Sequence, residues 1–255
     1  MRYPLIFAYH DVSPTPRLSG NWVLPGVFKR HISYLLKVFQ PLPPHALEFP
    51  IPTQGFLITF DDALEGVHRY AYPIMEEYGI KGAVFVVTGF IGKRNVWDAT
   101  FGTSVRHIDR SAILELSDSG WIVGSHTVSH RALISLPEGE IRRELEYSKK
   151  YLEDLTGKEV WAVSYPFNLY DRRVLKLARE IGYRWGFSGP SLKAHFTPLN
   201  VPRIPVMLID LTLRHKLLPP WAVVDMLLTA PSRLTPPFMR ARELLLNALR
   251  RRCCK

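Results

Sequence analysis

The stretch Phe56-Leu57-Ile58-Thr59-Phe60-Asp61-Asp62 is a short apolar run that stops abruptly at two acids. Its aromatic and β-branched residues suit a strand buried on both faces. An amphipathic stretch, Val67–Tyr78, follows it, and then a second apolar run, Ala83–Val87. Strand, helix and strand in so short a span imply a parallel pair joined by a right-handed crossover. The unit repeats outward in both directions. Further strands are expected at Leu5–Tyr9, Trp121–Gly124, Val160–Tyr165, Arg184–Phe187 and Ile204–Leu208. Helices are expected at Val27–Phe39, Asp109–Ser119, Pro137–Thr156 and Asp171–Ile181. The longest places Ile141, Leu145, Tyr151, Leu152 and Leu155 on a recurring apolar face, which is helical periodicity. Glycines in EEYGIKGA, LSDSGW, LTGKEV and REIGYRW stand where each helix would hand over to a strand. Seven strands alternating with helices build either an open doubly wound sheet or a barrel.

The chain has 255 residues, of which 47% are hydrophobic, ample for one large α/β core. No internal boundary precedes about residue 215, so residues 1–215 are expected to form the main domain. Residues 216–255 read as a basic, amphipathic, helical extension, with Trp221–Ala230 and Pro237–Arg252 separated by prolines. The net charge is +10, and from Met239 onward six basic residues face one acid. That tail suits packing on the main domain, a second subunit, or peripheral contact with an anionic membrane. A nucleic-acid partner rests on charge alone and is not expected. No G-x-G-x-x-G or G-x-x-x-x-G-K-[ST] follows any strand, so nucleotide binding lacks its signature. Cys253 and Cys254 are adjacent and cannot staple a fold. The opening MRYPLIFAYHDVSP lacks a signal-peptide pattern, and no stretch offers about 18 uninterrupted apolar residues. A cytoplasmic location, at most membrane-peripheral, is therefore expected.

The C-terminal ends of the expected strands carry an unusual set of side chains. The first ends in Tyr9-His10-Asp11, the second in Asp61-Asp62, the fourth leads into Ser125-His126…His130, and the fifth ends in Tyr165-Pro166-Phe167-Asn168. In parallel sheets and barrels this edge is where loops and helix N-termini converge on a site. Each piece alone has a plain explanation. Asp61-Asp62 would serve to cap a helix, and an isolated H-x-x-x-H pair is more often incidental than a metal site. Together they differ: two histidines and one aspartate make a three-ligand set with room for water, the pattern of a catalytic metal site. The remaining carboxylate then stands ready as general base for water activated by the metal. Which aspartate takes which role stays open on the residues alone. Trp22, Trp97 and Phe167 lie near this rim and are candidates for stacking on a ring of a bound ligand, although aromatics more often pack.

With these elements in order, the chain resembles the polysaccharide deacetylase family, also called the NodB-homology or carbohydrate esterase 4 fold. ITFDDALEG is similar to its first motif, SHTVSH to its second and VSYPFN to a variant of its third. FAYHDVSP and LPGVFKRHISYLLK resemble the N-terminal part of a subgroup related to poly-N-acetylglucosamine deacetylases, and the likeness runs from about Leu5 to Val206. The resemblance implies a distorted (β/α) barrel with about seven parallel strands. It implies Asp61 as general base and Asp62, His126 and His130 as ligands of one divalent metal ion, commonly zinc. The Phe167 N–H would hold the oxyanion, with Tyr165, His10 and Trp97 as neighbouring substrate contacts. The implied reaction is removal of an N-acyl group, usually acetyl, from an amino sugar, polysaccharide or glycolipid. Other readings are a hydrolase of a non-sugar amide or cyclic imide and a non-catalytic carbohydrate-binding relative. Two positions depart from the family pattern. Ser164 stands where the third motif often has an arginine that orients the base, and no late Leu-x-His motif supplying the proton donor is evident. Candidates for that donor are His10, His195 and His215, the last in LRH at Leu213–His215.

Overall fold

The computed structural model describes residues 4–15, 20–43, 55–97, 105–190 and 197–207, together with Asp210 and Leu213. In chain order the elements are β1 (Leu5–Tyr9), β2 (Asp11–Val12), β3 (Trp22–Val23), α1 (Pro25–Val38), β4 (Phe56–Phe60), a π-helical turn Val67–Ala71 running into α2 (Tyr72–Glu77), and β5 (Ala83–Val86). Then come α3 (Arg110–Asp118), β6 (Ile122–Ser125), α4 (Glu138–Thr156), β7 (Ala162–Ser164), α5 (Arg172–Glu180), β8 (Trp185–Ser188), β9 (Val201–Pro202) and β10 (Ile204–Pro205). Within the described residues, the strands and helices expected from periodicity are all present, with boundaries moved by a few residues. Asp109 and Asp171 cap α3 and α5 by accepting from Ala112 N–H and Val174 N–H at 2.9 and 3.0 Å. Gly157 ends α4 in the left-handed conformation at φ 67°.

The main sheet has eight strands, ordered β10-β1-β4-β5-β6-β7-β8-β9, and every pairing is parallel. The order runs almost full circle, because its two ends are consecutive in sequence. Val201 and Pro202 pair with Phe187 and Ser188 of β8, while Ile204 and Pro205 pair with Phe7 and Ala8 of β1. One stave thus serves both edges, and Arg203 is its midpoint. The prolines cost little there, since each two-residue strand pairs on one side only. The expected barrel of about seven strands is therefore the observed one, with its last stave divided around a single arginine.

Alternation along each strand sorts the core into two layers. One set, including Ile6, Leu57, Phe85, Ala162, Trp185, Phe187 and Val201, forms its own cluster within the sheet's curve. The other set, including Phe7, Phe56, Ile58, Phe60, Val84, Val123 and Val163, joins the residues of the surrounding helices. Strands buried on both faces need continuous apolar runs, as FLITF supplies. On α4 the buried stripe is Ile141, Glu144, Leu145, Ser148 and Leu152. Tyr151, expected on that stripe, is exposed instead, and two polar residues face inward for a reason that appears below. Trp22 is buried in β3 opposite Asp11, away from any sugar-stacking position. Among the described residues no helix is long and apolar enough to cross a membrane. The expected extension at 216–255, with its cysteine pair, and His195 and His215 lie outside the described residues.

Candidate active site

Three loops at the C-terminal ends of β4, β6 and β7 carry the non-glycine residues with positive φ among the described residues. These are Asp62 (64°) and Ala63 (51°), Thr127 (68°) and His130 (56°), and Phe167 (58°) and Asn168 (57°). Each such residue costs about 1–3 kcal/mol unless its surroundings enforce it, so their confinement to one rim marks it as a site. The enforcing contacts are visible. Ile108 N–H donates to the Ala63 carbonyl, Glu65 N–H to the Arg106 carbonyl, and the His107 ring nitrogen Nδ1 lies 2.7 Å from the Asp62 carbonyl. Thr88 and Gly89 N–H groups donate to the carbonyls of Thr127 and Val128. A Cβ at Gly89 would come within 2.5 Å of the Val128 oxygen, so only glycine allows that approach.

The inward-facing polar residues of α4 hold the second loop. Glu144 accepts the N–H groups of Val128 and Ser129 at 2.9 Å each and the Ser129 hydroxyl at 2.5 Å. The Ser148 hydroxyl lies 2.6 Å from that of Ser125, which in turn accepts Thr127 N–H at 3.1 Å. His126 and His130 are thereby fixed in the same turn although their spacing alone promised only a helix face. The loop is not helical, and the strained backbone rather than helix geometry brings the two rings to 4.9 Å.

Asp62, His126 and His130 converge with all ligand-type atoms within 4.8 Å of one another, and all three residues are buried. Asp62 Oδ1 stands 3.6 Å from His126 Nε2 and 3.2 Å from His130 Nε2. Ligands about 2.0–2.1 Å from a tetrahedral ion stand about 3.4 Å apart, so the set fits a zinc-sized cation. The His126 Nδ1–H donates to the Ser164 carbonyl at 2.7 Å, which directs the Nε2 lone pair toward Asp62. His130 is positioned differently. Its Nδ1 finds no partner among the described residues, and its ring stacks on Trp97 (4.4 Å, 15°) and leans on Phe167 (4.6 Å). Burial pushes His126 down to about 4, partly opposed by Asp61, and burial also holds His130 well below its usual range. Both imidazoles are therefore neutral near pH 7, the state in which they can bind a metal.

Asp61 points the other way and meets Arg203. The guanidinium makes a two-pronged contact, Nη1 to Oδ1 at 2.8 Å and Nη2 to Oδ2 at 2.7 Å. It also donates to the Thr59 and Ser164 hydroxyls at 3.1 and 2.8 Å, and its Nε–H reaches the Ser188 carbonyl at 3.3 Å. The rings of Phe85 and Phe187 flank it at 5.5 and 5.8 Å. Among the described residues Arg203 is the largest fully buried side chain, and it rests on the apolar cluster inside the barrel. Burial opposes ionisation of Asp61, but the Arg203 charge prevails and holds the carboxyl well below the usual carboxylate range. Asp61 is thus bound by a guanidinium and not by the helix-capping N–H groups that its sequence position allows. Ser164 also gains a meaning: a small hydroxyl at this position admits an arginine from elsewhere and hydrogen-bonds it.

The remaining expected residues divide. Among the described residues the Phe167 N–H has no acceptor, and it sits beside His130. His10 interacts electrostatically with Asp61, His126 and His130, and its Nδ1 is buried with no partner among the described residues. Trp97 lines the site against His130, and its indole N–H also has no partner among the described residues. Tyr165 does not line it, because its side chain is fully buried and its hydroxyl donates to the Leu199 carbonyl at 3.1 Å. Sequence reasoning missed Arg203, Glu144 and Ser148. A charged residue inside the apolar, proline-flanked NVPRIPV was the available signal for the first.

Residues 51–186 match the polysaccharide deacetylase family. The Bacillus subtilis protein YxkH is 28% identical over 190 residues, which cover 71% of this chain and 62% of its own length. The poly-beta-1,6-N-acetyl-D-glucosamine N-deacetylase of Staphylococcus aureus is 27% identical over 146 residues, 54% of this chain and 48% of that protein. The chain thus spans between about half and three fifths of the length of these curated relatives. The structure of IcaB from Ammonifex degensii superposes with a TM-score of 0.71 at 21% identity, over 87% of this chain and 97% of that one.

Proposed function

The chain belongs to the polysaccharide deacetylase family, and from that membership we propose that it removes the N-acetyl group from an amino-sugar polymer with the help of one divalent cation, zinc by the character of its ligands. The observation that carries this reading is the pairing of two sites on one rim. A buried Asp62/His126/His130 set fits a cation, and beside it Asp61 is held ionised by Arg203.

Asp62, His126 and His130 would hold the ion, which when bound supplies positive charge to polarise the acyl oxygen and acidify a water. Asp61 takes the proton of the attacking water. Arg203 fixes both of its oxygens, so the carboxylate keeps one orientation on a rim built of strained loops. The same guanidinium lowers the basicity of Asp61, and the proton therefore passes most readily to it from an acidified water. The Phe167 N–H, preset by its positive φ, donates to the oxygen that becomes negative as the amide carbonyl turns tetrahedral. His10, reaching the rim from the end of β1, gives the proton that the departing amine needs. Trp97 and Phe167 wall the opening with apolar rings suited to a sugar face. The printed substrate of the Staphylococcus aureus relative, a β-1,6-linked N-acetylglucosamine polymer, supports a polymer of this kind as substrate. With Arg203 in place of the third-motif arginine, the argument for a non-catalytic relative loses its main support.

The test is metal analysis of the purified protein together with acetate release from N-acetylglucosamine oligomers. The expected result is about one divalent ion per chain and a fall of about 10²–10⁴ in kcat on Asp61→Asn. A well-folded chain that takes up no divalent metal, or an Asp61→Asn variant as active as the wild type, overturns the reading.

A further inference from the structure

Helix α5 carries its charge in an arrangement that folding does not require. Its apolar side, Val174, Leu177 and Ala178, is buried against the barrel. Its outer side presents Arg172, Lys176 and Arg179, all exposed, at positions i, i+4 and i+7. That spacing sets them in single file over about 10 Å of the helix. Among the described residues the Arg172 and Arg179 side chains form no hydrogen bond or ion pair. The Lys176 side chain is 73% exposed and comes only to 3.8 Å from Glu180, whose carboxylate is held at 2.5 Å by Arg142 of α4.

The neighbouring helix shows the alternative. On α4, Lys149 and Lys150 each meet an acid one turn on, Glu153 at 2.8 Å and Asp154 at 3.0 Å. Such pairs support an exposed helix. On α5 like charges stand one turn apart, a cation opens the first turn and an acid sits in the last, and each of these opposes the helix. A stripe that works against its own helix, and that no core contact explains, points to a partner outside the chain. Its place says which kind. The chain leaves β7, passes Phe167 and Asn168 on the rim and enters α5 at Asp171, so the stripe starts beside the candidate site and runs away from it. RRVLKLARE holds no aromatic residue on which a nucleic-acid base would stack. Its leucines pack on the core, which leaves no apolar face for a membrane. A linear anion fits what remains.

We propose that α5 is an attachment surface, separate from the catalytic cleft, for an acidic polysaccharide. The proposal rests on the deacetylase reading above for the class of polymer and adds that this polymer carries negative groups. Arg172, Lys176 and Arg179 hold those groups by charge, and the attachment keeps the chain near the rim while its units exchange at the metal centre.

The experiment is calorimetric titration of the metal-loaded full chain with two probes of equal length. One is an oligomer of alternating glucuronate and N-acetylglucosamine, and the other is a neutral N-acetylglucosamine oligomer. Wild type is expected to bind the acidic oligomer more tightly, with an affinity that falls as sodium chloride is raised. The triple variant Arg172→Gln, Lys176→Gln and Arg179→Gln should bind the acidic oligomer about tenfold less tightly and the neutral one as wild type does. The basic tail is present in both proteins, so the difference between them reads α5 alone. The urea midpoint of the variant should stay level or rise, because the stripe opposes its helix. A lowered midpoint together with weaker binding would assign the stripe to folding and overturn the proposal. A saturating neutral trimer should leave the acidic oligomer bound; its displacement would put that oligomer in the cleft and overturn the separate surface. Equal wild-type affinity for the two probes overturns the proposal as well. So does acidic-oligomer binding that survives in the triple variant while binding to phosphatidylserine vesicles or single-stranded DNA is lost. Attachment with no acetate release from either probe would instead overturn the deacetylase reading and leave the surface standing.

Discussion

The two halves of the site are anchored by different parts of the fold. On the metal side, Asp62, His126 and His130 come from loops after β4 and β6, and the groups that hold those loops lie within 45 residues of them in the chain: Gly89, His107 and, 15–16 residues further along, Glu144 on α4. On the base side, Asp61 depends on Arg203, 142 residues away, at the point where the barrel closes on itself. The metal side is therefore a local construction with supports of its own, whereas the base side exists only once the last stave is in place. The contrast teaches where tolerance should lie. Changes on the metal side should alter affinity while leaving the barrel standing, and changes at the closure should disturb fold and chemistry together.

The largest effect is expected at the closure. Arg203→Met leaves the Asp61 charge buried without its partner and should cost about 3–5 kcal/mol of stability, read from denaturant midpoints, along with activity. Adding Asp61→Leu should return most of the stability and none of the activity. A cost below about 1 kcal/mol for Arg203→Met would break the comparison, since surface ion pairs already reach that value. Next comes Glu144→Ala on the metal side, which should weaken divalent-metal binding about 10–100-fold by competition titration, as loss of a supporting contact does. An unchanged metal affinity would mean that the second loop holds itself.

A smaller effect compares two buried tyrosines, one under each half. Tyr165 donates to the Leu199 carbonyl on the closure side, and Tyr183 donates to the Leu145 carbonyl on α4. Burial raises both hydroxyls above their usual value near 10. The unfolded chain loses these protons first as pH rises, so their contribution is intact below about pH 10 and is lost above it, at about 1.4 kcal/mol per pH unit per tyrosine. Tyr165→Phe and Tyr183→Phe should each flatten the alkaline limb in urea titrations between about pH 9 and 11. A limb unchanged by both variants would assign alkaline loss to other groups. The smallest effect is expected for Ser164→Ala, which removes one hydrogen bond from a guanidinium that keeps four others. It should cost about 1 kcal/mol and reduce kcat only a few-fold. A loss as large as that of Arg203→Met would place the control of Asp61 in Ser164.

The same division explains what was legible in the sequence. Apolar runs and helical periods located the strands and helices because burial on both faces of a parallel strand and on one face of a helix leaves a periodic trace. Asp61-Asp62 and His126…His130 stood out because the metal half is coded in short contiguous stretches. Arg203 did not, because a pairing across 142 residues has no local period, and the residues matching the family, 51–186, stop before it. Glu144 and Ser148 were hidden for another reason. They occupy the buried stripe of α4, where an apolar pattern is expected, and only the backbone N–H groups and the hydroxyl they meet reveal why they are polar. The left-handed backbone of Thr127, His130 and Phe167 left no trace at all, since none is a glycine.

The divided stave gives the chain an order of assembly during synthesis. A ribosome delivers β4 and β6 well before Val201–Pro205, so the nascent chain holds its candidate cation ligands while Asp61 still lacks its arginine. Asp61 is then an unneutralised charge at the mouth of an unfinished barrel, and arrival of Arg203 completes the ring and settles that charge in a single event. Completion of the candidate site and closure of the barrel's last seam are on this view the same step, timed by where one residue stands in the translation order.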